Sequence, residues 1–285
     1  MDCTSPVLGI YPCGKCLNCR ARSRQEWVFR LRQEYQSCNF GLFVTLTYDD
    51  EKLPPDGVLV RDVQLFIKRL RKYWKARAFR YYLVSEYGDH TFRPHYHGLF
   101  FFAIDRTDQI YDIISDSWQN GFCSFGEIEE GSIVYCTKYC LKGSRVPEGK
   151  NDNFRLVSKM YGGLGAEYIE KQSEYHLQRL EKPSLAVWQG QKAPLPRYYR
   201  EKLLNKLPEE DIKTIRLLYQ EYLFKKRCEH EEKEYHQYLK KNKIIEKWPG
   251  AKYSEFLKWK SHQDYAKNER KAELFDKHTK KQNCI

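Results

Sequence analysis

Residues 79–103 constrain the fold of this 285-residue chain more than any other stretch. Phe79 to Tyr87 and His95 to Ala103 are both rich in aromatic and β-type residues. Between them lies Gly88-Asp89-His90-Thr91-Phe92-Arg93-Pro94, a string of turn formers. Two strands joined in this way return on one another as a hairpin, and the flanking segments must supply the layers that bury them.

Those segments have readable periods. Arg20 to Ser37 places Val28, Leu31 and Tyr35 at helical spacing among arginines, which predicts a basic amphipathic helix. Leu42 to Tyr48 reads as a strand closed by an acidic, proline-containing loop. Val63, Phe66, Ile67, Leu70 and Trp74 mark a second helix, with Asp62 as its expected N-cap. Ile110, Ile114 and Trp118 mark a helix ended by Gly121. Phe122 to Ile128 reads as a strand, and Ser132 is expected to cap a short helix running to Gly143. The order is helix, β-α-β-β-α-β, helix. It predicts an α+β protein on a ferredoxin-like or RRM-like plan, an antiparallel sheet with one face left open for a ligand.

Charge narrows the partner. Fifty Lys and Arg against 38 Asp and Glu leave a formal +12 and a pI near 9.1, which favours an anionic polymer, nucleic acid before membrane. Gly (16) and Pro (11) are too few for a collagen-like or low-complexity chain, and no apolar run approaches the ~20 residues of a spanning helix. Met1-Asp2-Cys3-Thr4-Ser5 lacks the features of a secretion signal, so the expected setting is the cytosol. From Arg200 onward 22 basic residues face 15 acidic ones, a local +7 in a region of helical pattern punctuated by Pro208 and Trp248-Pro249-Gly250. The expected division is a Cys-containing segment with a basic helix over 1–39, a domain over 40–180 and a basic helical region over 195–285. That last region is read either as a solvated appendage or as extra phosphate contact.

Cys13, Cys16 and Cys19 form C-x2-C-x2-C, too tight for an ordinary disulfide framework. With Cys3 or Cys38 as fourth ligand they are candidates for a structural zinc. A second downstream C-x2-C pair is missing, and reduced thiols in a local turn are the other reading.

The stretch richest in chemistry is Arg93-Pro94-His95-Tyr96-His97-Gly98. Residues two apart on a strand point the same way, so both imidazoles share a face and can form half a coordination shell. Glu86, near the end of the preceding strand, completes a two-His, one-carboxylate set. Asp89 and His90 in the connecting loop are alternative third ligands. Such donors suit a divalent ion.

A second constellation lies at Tyr135-Cys136-Thr137-Lys138-Tyr139-Cys140-Leu141-Lys142. On a helical wheel Tyr135, Lys138, Tyr139 and Lys142 share one arc, while Ile133, Val134, Cys136, Thr137, Cys140 and Leu141 fill the other. The helix thus has an apolar face without its tyrosines. Ammonium groups and a Lewis-acidic metal would favour the phenolate, which is otherwise a poor nucleophile at neutral pH. Together these features suggest covalent attack on a phosphodiester.

Phe43-Val44-Thr45-Leu46-Thr47-Tyr48, Arg93 to Gly98, and Tyr135-x3-Tyr139-x2-Lys142 resemble, in order and spacing, the three motifs of HUH-type single-strand endonucleases. The two-tyrosine form resembles rolling-circle initiators. Cys13-Gly14-Lys15-Cys16 and Glu86-Tyr87-Gly88 bring the layout closer to the replication initiators of gokushovirus-type microviruses, over about Cys13 to Tyr168.

The resemblance implies an HUH nuclease fold and a Mg²⁺ or Mn²⁺ ion held by His95, His97 and Glu86. It implies attack by Tyr135 or Tyr139 with Lys138 and Lys142 nearby, and DNA contacts from Thr45, Thr47 and Arg93. The product would be a 5′-phosphotyrosine and a 3′-OH that primes a host DNA polymerase, and the second tyrosine would then allow the displaced strand to be rejoined as a circle. No G-x4-G-K-[ST] occurs, so unwinding of origin DNA would fall to a host helicase, in the cytoplasm of a bacterial cell. Gly162-Gly163-Leu164-Gly165 is expected to be a flexible loop. Other readings are a plasmid initiator, relaxase or transposase of the same class, or a non-catalytic RRM-like binder stacking bases on Phe43, Tyr48 and Tyr96.

Overall fold

A computed structural model describes Gly14 and residues 17–74, 78–138, 146–181, 185–188, 190–245 and 250–281. The elements run α1 (Leu17–Ser37), β1 (Phe40–Tyr48), α2 (Val60–Tyr73), β2 (Phe79–Tyr87), β3 (Pro94–Phe102), α3 (Gln109–Ser117), β4 (Gly121–Glu127) and α4 (Glu130–Lys138). They continue with β5 (Arg155–Val157), α5 (Ala166–Leu177), β6 (Leu185–Trp188), β7 (Gln191–Pro194), α6 (Arg197–Leu204), α7 (Glu209–Lys241) and α8 (Tyr253–Lys281). By its contacts the chain divides into Met1–Tyr175 with Leu185–Leu203, and His176–Ser184 with Leu204–Ile285.

The first unit is built on a five-stranded sheet of order β4-β1-β3-β2-β5, antiparallel at every junction. This is the expected α+β plan with one extra edge strand. The sequence carries little sign of β5, which is only three residues long, nor of the small β6–β7 hairpin. Aromatic and β-branched residues fill the strands because a pleated, half-buried surface suits them.

Alternation along β3 sends its residues to two cores. Tyr96, Phe100 and Phe102 join Val63, Phe66, Ile67 and Leu70 of α2 and Ile110 and Ile114 of α3. Leu99 and Phe101 point the other way, to Leu31 of α1 and Ile133 and Cys136 of α4. The second face is therefore not left open, as the simple plan implied. Two helices cover much of it, because α1 and α4 each carry an apolar stripe that needs a partner. Gly98 on β3 has a packing reason: a Cβ there would sit 2.5 Å from the ring of Phe100.

Several helix ends differ from expectation. The N-cap of α2 is Leu59, not Asp62. Asp62 instead accepts the Tyr48 hydroxyl at 2.7 Å, and Tyr48 lies 2.7 Å from the Tyr96 hydroxyl, a buried network that takes the carboxylate from capping duty. The helix α4 starts at Glu130, and Ser132 serves its first turn by accepting the Glu129 N–H at 3.2 Å. Gly121 opens β4 with φ 157°, where a Cβ would collide with the Thr47 carbonyl.

The Gly162–Gly165 segment is tied down on both sides. Arg30 donates to the Leu164 carbonyl at 3.0 and 3.1 Å, Gly165 N–H donates to Glu34 at 2.7 Å, and Tyr199 donates to the Gly165 carbonyl at 2.8 Å. The flexible loop expected from its glycines is a packed turn. Its left-handed residues, φ +79°, +88° and +74° at Gly162, Gly163 and Gly165, explain their identity.

In the second unit α7 and α8 pack through Tyr235, Tyr238 and Phe256, with Trp259 against them. Lys260 bridges Glu231 and Glu234 at 3.8 and 2.8 Å. Among the described residues no helix is long and apolar enough to cross a membrane.

Candidate active site

The register of the sheet assembles the site. Glu86 of β2 stands directly opposite His95 of β3, and His97 stands opposite Thr45 of β1 and Val84 of β2. Directly opposed residues share a face, so Glu86, His95, His97, Thr45 and Thr47 all lie on the α1/α4 side. Their side chains are mostly sheltered, 13% exposed for Glu86, 19% for His95 and 10% for His97.

Both imidazoles aim the same atom at one carboxylate oxygen. The Nε2 of His95 and the Nε2 of His97 are each 3.5 Å from Glu86 Oε2. The other ring nitrogen of each is anchored. His95 Nδ1 donates to the Arg93 carbonyl at 3.1 Å, which leaves the lone pair of the neutral ring on Nε2. His97 Nδ1 lies 3.0 Å from the Thr45 hydroxyl, a partner that can hold its Nε2 in the same state. Phe43 stacks on the His97 ring at 5.6 Å and 10°, fixing its plane.

The ligand atoms of Glu86, His95 and His97 all lie within 4.8 Å of one another, the one such metal-capable group among the described residues. Three acceptor atoms converge, a condition that calls for a proton or a cation between them. Burial pulls both histidines toward neutrality. For His95 the Glu86 carboxylate, the Arg93 carbonyl and Asp89 outweigh burial and raise its pKa. For His97 burial prevails, helped by the neighbouring His95, and its pKa is lowered. Nitrogen and carboxylate donors on rigid strands fit a divalent ion.

The helix α4 brings Tyr135 to this cluster. Its hydroxyl donates to Glu86 Oε2 at 3.0 Å and lies 3.3 Å from His97 Nε2. Beneath it Ile133, Cys136 and Thr137 are buried, as the wheel required, while Lys138 is half-buried. Burial pushes the Cys136 thiol far up, so it stays a packing group. Tyr139 and Lys142 lie outside the described residues, as do Cys13 and Cys16. Cys19 is half-buried in α1.

Other expected residues take different stations. Arg93 donates to Asp50 at 2.5 Å and to the Tyr48 carbonyl at 2.6 Å, so its guanidinium braces the end of β1. Thr47 donates to the Phe122 carbonyl at 3.3 Å. Asp89 and His90 are exposed in the β2–β3 turn and are not in the cluster. Tyr48 and Tyr96 are 1% and 0% exposed, which removes them as base-stacking platforms. Sequence reasoning missed the Thr45–His97 bond, although pairing β1 against β3 by hydrophobic alternation would have set these residues opposite each other. It also missed Arg30, held 4.2 Å over Trp27 and 3.6 Å over Tyr198.

Fold and site together define a class: a ferredoxin-like sheet carrying two histidines, a carboxylate and a tyrosine hydroxyl on one covered face. Comparison with known proteins makes the family plain. Residues 41–144 match the family described as replication-associated protein ORF2. Replication-associated protein VP4 of Bdellovibrio phage phiMH2K is 31% identical over 222 residues, 70% of this chain and 69% of that protein. Replication-associated protein ORF2 of Spiroplasma virus 4 is 33% identical over 187 residues, 57% of this chain and 58% of the relative. Replication-associated protein ORF4 of Chlamydia phage 1 is 27% identical over 224 residues, 70% of this chain and 55% of the relative. The chain belongs to the replication-associated proteins of microviruses. No solved structure matches it.

Proposed function

We propose that this chain starts rolling-circle replication by nicking single-stranded origin DNA with Tyr135. The observation that carries the reading is the Tyr135 hydroxyl 3.0 Å from Glu86 and 3.3 Å from His97, beside three converging donors, in a replication-associated protein. A Mg²⁺ or Mn²⁺ ion held by His95, His97 and Glu86 would act as a Lewis acid on a phosphate oxygen.

The chain's own residues do the rest. The Tyr135 oxygen attacks phosphorus as its proton passes to the Glu86 carboxylate that already accepts it. The bond from phosphorus to the 3′ oxygen breaks, and that oxygen takes up a proton to become a free 3′-OH. The 5′ phosphate stays on Tyr135. Lys138, one helical turn on, and Lys142 supply positive charge, and Thr47 and Arg93 meet the DNA backbone. Tyr139 cuts the regenerated origin, after which a 3′-OH displaces the phosphotyrosine and closes the circle. One phosphoester is lost for each formed, so rejoining requires no ATP. In this reading residues 40–180 form the nuclease domain, and the basic helices of 195–285 add phosphate contact. A host polymerase and helicase are the partners, in the cytoplasm of a bacterial host.

A single-stranded origin oligonucleotide with Mn²⁺ should yield an SDS-resistant protein–DNA adduct. Tyr135→Phe should lower its rate by about 10³-fold or more, as expected for removal of a nucleophile. If the Tyr135→Phe, Tyr139→Phe double variant cleaves as well as the parent protein, the nucleophile assignment is wrong.

A further inference from the structure

The sheet carries one more residue on the metal-bearing face. Antiparallel register sets Glu86, His95, Thr47 and Phe122 in a single row across β2, β3, β1 and β4. Directly opposed residues point to the same side, so the Phe122 ring and the His95 imidazole stand on one surface. Strand spacing puts their backbones about 10 Å apart, with the half-buried Thr47 between.

Phe122 is 68% exposed, although it sits on a strand whose other face is packed. Its neighbour Cys123 and the next apolar residue, Phe125, turn the other way and pack against the first core. Ser124, on the metal-bearing face, is exposed as well. The two helices that cover β2 and β3 therefore leave the β4 side of this face bare. A large ring held out on an edge strand wastes apolar area unless something flat covers it.

We propose that Phe122 is a stacking platform for a base of the single strand whose phosphate is bound at Glu86, His95 and His97. This assignment rests on the nuclease reading for the position of that phosphate. The occupant follows from placement. A strand leaving the His95–His97 site along the row passes Thr47 and reaches β4 within one or two nucleotides. There it meets an aromatic face that any base can cover, with no hydrogen-bond donor on the ring to read sequence. The protein supplies a stacking surface next to the reacting phosphate, which fixes the direction in which the strand leaves it. The aromatic residues expected from sequence to stack bases are unsuited to this, since Tyr48 and Tyr96 are buried and Phe43 lies on His97.

The test uses the full chain and an oligo(dT) single strand of about sixteen nucleotides, the upper end of common site sizes. Phe122→Ala should weaken binding roughly 5- to 150-fold, the range that loss of one stacked base implies. Phe122→Trp should restore it. A 5-iododeoxyuridine placed one or two nucleotides from the nick should photocrosslink to Phe122. Unchanged affinity in Phe122→Ala, alongside a normal metal-dependent adduct in the parent protein, overturns the platform and leaves the nuclease reading intact. Unchanged affinity with a fall in solution mass would overturn it too, marking β4 as a protein–protein edge. Weakened binding in a parent protein that forms no adduct would sink the nuclease reading while supporting Phe122 as a base-stacking residue.

Discussion

At the scale of single residues, the site is organised by what holds the ligands rather than by the ligands alone. The Arg93 carbonyl and the Thr45 hydroxyl engage the Nδ1 atoms of His95 and His97. A threonine expected to touch DNA thus orients an imidazole. Loss of such a partner commonly costs 10–100-fold in metal affinity, so Thr45→Val should weaken Mn²⁺ binding by about that factor, measured by titration calorimetry without DNA. Thr45→Ser should retain affinity because it keeps the hydroxyl. Equal affinity in Thr45→Val would remove Thr45 from the metal site. The histidines and Glu86 were legible in sequence because a two-residue spacing on a strand fixes a common face. The role of Thr45 was hidden because it depends on which strand lies beside β3, a long-range fact.

Among the elements, β3 shows what a sequence can carry and where it stops. Its period, turn and His-x-His face were readable from local residues. Its neighbours were not, and neither was the covering of the histidine-bearing face by α1 and α4, because each helix stripe fits several partners. Helix ends were blurred for a related reason, as Asp62 was drawn away by the Tyr48 hydroxyl. Gly98 gives an element-scale prediction. A methyl group there meets the Phe100 ring, which Phe66 and Phe79 wall in at centroid distances of 6.0 and 6.2 Å. Gly98→Ala should therefore destabilise the protein by about 1–3 kcal/mol through overpacking. Chemical denaturation would measure it, and a stability equal to the parent would show that Phe100 has room to move.

For the whole molecule, the excess charge of +12 predicts a salt response. If about five phosphates are neutralised, affinity for a non-specific single strand should fall roughly 100-fold between 50 and 200 mM salt. A flat response would show that the basic residues lie off the DNA path. Charge alone announced a polyanion. The family relationship and the tyrosine beside the metal-capable cluster point toward one that is cut and rejoined. The central place of β3 carries a further consequence for the protein's life during that reaction. Flanked by β1 and β2 along nearly its whole length, its amides should be among the last to exchange with deuterium, opening only when the entire sheet comes apart. A protein joined covalently to a genome end cannot be replaced by a fresh copy, and the strand that bears its histidines is the part least able to fray before the circle is closed.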